Sequence, residues 1–336
     1  MACTQRHEPA PLPWQEEEDS TATDFDLAQI EQSGQMIALT LSGPDTYYDF
    51  RGGHLGVHYL LCERFAGYLG VRLRMEVCRD TAELLRRLEA GDADLAVLGM
   101  KADTLTPGWV VGEGKEDLRD ALAAWYHPQM MEKARQQEQE MLTKPRVKHR
   151  THAPMLSRGV ISHYDELFKR YSRGIGWDWR LIAAQCYQES SFDPEAVSWA
   201  GAIGLMQIMP KTADHLDLPR DQMKDPEQNI AAATRYIHEL EREFMYIHDR
   251  RERQNMVLAS YNGGILHIQD AMRLAERDHR NPQRWDDVRT YVLHLTDPHY
   301  YQDTLVQHGY MRGTETADYV DRIRKQYNQY ARQVRQ

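Results

Sequence analysis

The chain has 336 residues, 41% of them hydrophobic, and a formal net charge of -10. That acidic balance argues against a nucleic-acid-binding protein, which carries a basic face. The length suggests two domains or one large one. No apolar run approaches the roughly 20 residues of a membrane helix, so no bilayer span is expected from the chain as given.

The chain opens on a polar, Pro-rich, acidic stretch, and residues 1–24 read as a disordered tether. It holds no charged n-region and no apolar h-region, so a complete signal peptide is not expected. Cys3 follows a small residue and precedes this tail, which is how a mature bacterial lipoprotein begins. A lipid anchor on Cys3 and a chance cysteine are equal readings. The other cysteines, Cys62, Cys78 and Cys186, form no disulfide framework and no zinc spacing. Cys62 and Cys186 read as buried free thiols. A Cys62–Cys78 bridge stays open, because spacing alone does not decide it.

From residue 25 to about 127 the pattern is α/β. IALTLSG (37–43) alternates and ends in glycine, a strand signal. HYLLCERFAGYLG (58–70) carries apolar residues at helical spacing and stops at Gly70. VRLRMEV (71–77) alternates strictly and predicts a strand. TAELLRRLEAG (81–91) predicts a helix with Thr81 as candidate N-cap. DLAVLG (94–99) and GWVVG (108–112) predict short strands, and KEDLRDALAAWY (115–126) a helix. Alternating strands and helices indicate a parallel or mixed sheet.

The stretches GPDTYYDFRGGHLGVHYLLCERFAGYLGVRLRMEV, LLRRLEAGDADLAVLG and WVVGEGKEDLRDALAAWY resemble the type 2 extracellular solute-binding proteins. In that family a second lobe lies between the DLAV-type strand and the final strand and helix. Here only Met100 to Pro107 join them. One lobe is expected, the other deleted. A family whose ligand sits between two lobes then implies no small ligand here, and a docking or spacer role, with a protein partner, is the expectation.

Residues 128–157 read as a linker. MMEKARQQEQEML is charged and helical in pattern, and TKPRVKHRTHAP is a basic, Pro-punctuated loop. From 158 to 336 the pattern is all helical. Helices are predicted over 164–172, 177–191, 205–216, 225–244, 253–262, 265–278, 285–295 and 316–333.

On the helix 177–191, Ile182, Gln185, Cys186 and Glu189 recur at spacings of three and four. The core-facing stripe therefore leads to Glu189. A carboxyl carried from a core stripe into a cleft is desolvated, which should raise its pKa. A carboxylic acid still protonated near neutral pH is a proton donor. Gly201 and Gly204 permit close backbone approach. Leu205, Met206 and Gln207 are placed at a helix start, where a thioether could press on a sugar face and an amide bond to it. Tyr261 in SYNGG could hold the carboxyl. Alone, each has a structural reading: a solvated helix end for Glu189, core packing for Met206, a satisfied buried phenol for Tyr261.

QESSFDP, SWAGAIGLMQIMPKTA, DPEQNIAAATRYI, ASYNGG and TETADYVDRI, in this order, resemble the soluble-lytic-transglycosylase catalytic domain with its goose-type-lysozyme-like fold. With the lobe ahead of it, and HYYQDTLVQHGYMRGTET (299–316), the chain is similar to the membrane-bound lytic murein transglycosylase F group. The resemblance implies an α/β lobe followed by an all-α lysozyme-like domain. It implies Glu189 as the catalytic acid, then base. Ser190 would pair with it, Tyr261 orient it, and Ser198 approach it from a loop. Gly204, Leu205, Met206, Gln207, Asn262 and Tyr319 would line the groove. Ser260 stands where the family usually has Ala. The reaction implied is non-hydrolytic cleavage of a β-1,4 bond in peptidoglycan, with no metal or cofactor, at a wall-facing, periplasmic location. Two other readings stay open. A lysozyme-type hydrolase would need a second carboxylate, with Asp193 nearest in sequence. A non-catalytic wall-binding or sensory protein would rest on the lobe.

Overall fold

A computed structural model describes residues 26–99, 106–143, 153–156 and 159–335. Cys3, the tether and most of the basic loop lie outside them. The α/β lobe begins with α1 (Leu27–Ser33), capped by Asp26 in a capping box with Gln29. The Asp26 carboxylate also accepts from Asp117 and Leu118 backbone N–H at 2.8 and 3.0 Å, so one side chain caps two helices. Strand β1 (Gln35–Leu41) follows, then a hairpin of β2 (Tyr48–Phe50) and β3 (Gly53–Leu55), then α2 (Val57–Tyr68). β4 (Arg72–Cys78), α3 (Thr81–Glu89), β5 (Leu95–Val97), β6 (Val110–Val111) and α4 (Glu116–Trp125) complete the predicted set. The helix cap is Asp80, not Thr81: its carboxylate accepts from Glu83 N–H at 2.8 Å.

The sheet order is β4-β1-β5-β6, parallel except for β6. β1 is central and covered on both faces. Met36 and Ala38 pack toward Leu61 and Phe65 of α2, while Leu39 packs with Leu84 and Leu88 of α3. α5 (Gln129–Thr143), placed in a linker by its charge, packs on α2 instead. Its Ala134 is fully buried, and Tyr48 donates to Glu138 at 2.9 Å. Long charged side chains on one face concealed an apolar stripe on the other. Cys62, Cys78 and Cys186 are buried and free, so no Cys62–Cys78 bridge forms.

The hairpin has no counterpart among the predicted strands. Its two-residue turn is Arg51-Gly52, at φ 52° and 78°. Positive φ at both central positions matches the twist of the flanking strands. At Gly52 a Cβ would also sit 2.6 Å from the Met209 sulfur, so glycine serves both the turn and a contact with the other domain.

The second domain is helical. It comprises α6 (Asp165–Ile175), α7 (Trp179–Ser190), α8 (Pro210–His215), α9 (Pro226–Glu243), α10 (Arg250–Gly263), α11 (Ile265–Arg277), α12 (Trp285–His294), α13 (Pro298–Tyr301) and α14 (Gly313–Gln333). α7 is buried nearly all round; α6 and α14 pack against it, and α9 and α10 pack on those two and on each other. The helix predicted over 205–216 starts only at Pro210, which occupies its first turn. Residues 205–209 form a turn and an isolated bridge. No helix among the described residues is long and apolar enough to cross a membrane.

Candidate active site

Glu189 occupies the last turn of α7 and is 1% exposed. The chain leaves the helix abruptly, through Ser191 and Phe192 at φ 52° and 64°. Two successive non-glycine residues in the left-handed region are costly. Phe192 offsets this by burying its ring beside Phe168 and Tyr187. The sharp exit leaves Glu189 at the helix end, on the wall of a cleft of about 800 Å³ between the two domains.

Tyr319, on α14, donates to Glu189 Oε1 at 2.5 Å. It was expected to line the groove. Instead it is fully buried and holds the carboxyl from behind. Tyr261 lies along the same cleft, where it donates to the Met206 carbonyl at 2.8 Å and has Tyr236 against it, ring centroids 5.4 Å apart. Ser190 Oγ donates to the Leu205 carbonyl at 2.7 Å, tying the helix end to the 201–209 loop. The Cys186 thiol, pushed well above its usual pKa by burial and therefore neutral, lies 3.4 Å from the same carbonyl. Ser198 is held within its own loop, where its Oγ accepts from Ala202 N–H at 2.9 Å.

Leu205 and Met206 are fully buried in the helical core, so their side chains do not form the cleft surface as expected. The reason is the turn itself. Gly204 at φ 82° lies so close to Asn229 and Met223 that a Cβ would meet each at 2.5 Å. That approach drives the next two side chains inward. The chain turns back at Gln207, φ 50°, whose amide donates to the Gly204 and Ala196 carbonyls at 2.9 and 3.2 Å. Ala202, Gln207, Ile208 and Met209 are the members of this loop that line the cleft. Asn262 also lines it, and its Oδ1 accepts from Thr316 at 2.8 Å.

Sequence reasoning missed Asn229, which is fully buried. Its Oδ1 accepts from Met206 N–H at 2.8 Å, and its Nδ2 donates to the Met223 and Ile203 carbonyls at 2.7 and 3.1 Å. An Asn inside an apolar helical stripe was the available signal. It also missed the far wall, which comes from the α/β lobe and includes Tyr47, Asp49, Arg51 and His54. His54 Nδ1 lies 2.7 Å from both Tyr47 Oη and Asp49 Oδ1. Burial pushes the His267 pKa down, which favours neutral imidazole there. Among the described residues, Gln207 Oε1, Asn262 Nδ2 and His267 Nδ1 are buried along this cleft without hydrogen-bond partners. No three or more His, Cys, Asp or Glu among them are grouped as a metal ion would need.

The Ser260 hydroxyl is also buried and without a partner. Its desolvation is uncompensated, and Ala is the better helix former. Ser260→Ala is expected to raise stability by about 1 kcal/mol, read from the denaturant midpoint. An earlier transition would mean the hydroxyl has a partner in solution.

Residues 166–283 match the family model described as the transglycosylase SLT domain. A membrane-bound lytic murein transglycosylase F from Desulfosudis oleivorans is 41% identical over 168 residues, which cover 50% of this chain and 36% of that protein. The chain thus spans about a third of the length of the first curated relatives it matches. A protein of the same name from Pectobacterium atrosepticum is 26% identical over 431 aligned positions, covering 94% of this chain and 87% of its own. That alignment is longer than the 336 residues here, so the relative carries residues with no counterpart in this chain. Among solved structures, the 70 kDa soluble lytic transglycosylase of Escherichia coli is 28% identical over 50% of this chain and 24% of its own, with TM-score 0.33. An inactive mutant of lytic transglycosylase Slt from Pseudomonas aeruginosa is 21% identical over 51% of this chain and 24% of its own, with TM-score 0.37. The segment matched by the transglycosylase SLT domain model is the one that carries Glu189, the Gly204–Gln207 turn, Asn229 and Tyr261.

Proposed function

We propose that the chain is a peptidoglycan lytic transglycosylase that uses Glu189 as its single catalytic carboxyl. The observation that carries this reading is the buried Glu189 on the wall of an open cleft, held by Tyr319 within an SLT domain. Burial disfavours a charged carboxyl, so protonated Glu189 serves as general acid. It protonates the glycosidic oxygen between N-acetylmuramic acid and N-acetylglucosamine. The muramoyl N-acetyl group stabilises the oxocarbenium-like centre. Glu189, now a carboxylate, removes the proton from the same sugar's C6 hydroxyl, whose oxygen closes on C1. The product is a 1,6-anhydro sugar. The acceptor is part of the substrate, and its high effective concentration replaces an activated water.

The cleft supports a saccharide. Tyr236 and Tyr261 offer aromatic surface, and the unpaired Gln207, Asn262 and His267 atoms suit hydroxyl and acetamido groups. Hydrolysis would need a second carboxylate to activate water. Asp193 does not line the cleft, and its Oδ1 accepts from Glu195 N–H at 2.9 Å, as a turn residue does. Glu315 and Asp49 do line it, each against a cationic or imidazole partner. The N-terminal lobe keeps one half of a solute-binding architecture and serves the catalytic cleft rather than a ligand of its own. A wall-facing location follows from the substrate, with a lipid on Cys3 as the attachment.

Mass analysis of products from purified peptidoglycan tests the reading. Anhydromuramoyl ends are expected. Reducing muramic acid ends would make the enzyme a hydrolase, and no release at all would make it a binding protein.

A further inference from the structure

The tip of the β2–β3 hairpin belongs to the α/β lobe, yet it is joined to the helix that holds the catalytic carboxyl. Arg51 Nε donates to Glu315 Oε1 at 2.7 Å, and the two side chains are only 18% and 17% exposed. A pair so shielded is weakly screened by salt. Glu315 lies in the first turn of α14, where the helix dipole favours a negative charge. Thr316, one residue on, donates to Asn262 on α10. Tyr319, one helical turn beyond Glu315 and on the same face, donates to Glu189 on α7. Within five residues α14 is thus tied to the lobe, to α10 and to the catalytic carboxyl.

The lobe holds the entry to α14 as well. The Phe50 ring lies 6.2 Å from that of Trp199 at 26°, and the guanidiniums of Arg51 and Arg312 approach it to 4.8 and 5.5 Å. Tyr310 N–H donates to Ser42 Oγ at 2.8 Å. A cavity of about 400 Å³ lies beside this joint, lined by Phe50, Arg51, Arg312 and Glu315 among others. Close packing therefore does not hold the joint by itself, and the ion pair carries part of its alignment.

We propose that Arg51 is a positioning residue of the active site. Through Glu315 the α/β lobe sets the first turn of α14, and through that turn the Tyr319 hydroxyl on Glu189. A displacement of about 1 Å at a catalytic group can cost around a hundredfold in rate, so a remote joint is enough to matter. The identity of the reaction rests on the transglycosylase reading, but the joint does not.

The test uses the full chain and soluble glycan strands, with cleavage counted as new ends whatever their chemistry. Arg51→Ala is expected to lower kcat about tenfold with KM within about twofold. In a Tyr319→Phe background the same change should add little, because both act through one contact. Arg51→Lys, which keeps the charge, should retain most of kcat. If Arg51→Ala does not fold, Glu315→Gln weakens the joint from the other side and should reproduce the loss. An unchanged kcat, a loss confined to KM, or equal losses with and without the Tyr319 hydroxyl would overturn the proposal. Cleavage that yields reducing muramic acid would overturn the transglycosylase reading alone, since the joint is scored on rate.

Discussion

Glu189→Gln is expected to lower glycosidic cleavage by about a thousandfold or more, with the melting temperature nearly unchanged. The amide has the size of the carboxyl and still offers an oxygen to Tyr319, whose hydroxyl donates to Oε1. It has no acidic proton to deliver to the leaving oxygen and no carboxylate to take one back. Both half-reactions lose their proton carrier at once. Among the described residues, the other carboxyls that line the cleft are engaged elsewhere: Glu315 faces Arg51, Asp49 lies against His54 and Glu83 accepts from Arg79 N–H, while Asp193 does not line it. The measurement is the release of soluble fragments from purified peptidoglycan beside the wild type. Release that persists at the wild-type rate would remove Glu189 from the chemistry and with it the proposed mechanism.

Asn229→Ala is expected to give the largest loss of stability in the helical domain, about 3–5 kcal/mol. Three backbone groups depend on this side chain: Met206 N–H, the Met223 carbonyl and the Ile203 carbonyl. All three bonds are made by a fully buried amide. Each unmet partner costs about 1–3 kcal/mol, less what relaxation recovers. The same bonds set the Gly204–Gln207 turn, so activity should fall together with stability. Calorimetry should show the transition of the helical domain lowered by about 10 °C. A shift of only a degree or two would mean that the loop has other sources of order.

Much of this architecture was legible in the sequence. Eight helices of the helical domain and the strands of the sheet follow from apolar spacing, because each buries a single stripe or face against one core. The stripe through Ile182, Gln185, Cys186 and Glu189 was readable in the same way, and so was the arrival of Glu189 at a helix end. The misreadings share a cause. The helix expected at Leu205 was delayed to Pro210 because the backbone at Gly204 approaches Asn229, twenty-five residues on, too closely for a helix to start. Met206 had the right residue type for a groove and was buried by that same turn. α5 read as a solvated linker because its partner, α2, lies some seventy residues away in the chain. Tyr319, expected along the groove, instead donates to Glu189 from a helix 130 residues downstream.

The sequence by itself determined what is local: the residue types, the periods that make helices and strands, and one carboxyl at the end of a core stripe. Only the tertiary structure decided which side chains meet. A hydroxyl that holds a carboxyl, a hairpin that closes a cleft and an arginine that aligns a distant helix all join residues far apart in the chain. Such contacts leave no periodicity, because their geometry comes from how whole elements pack and not from the spacing within any one of them.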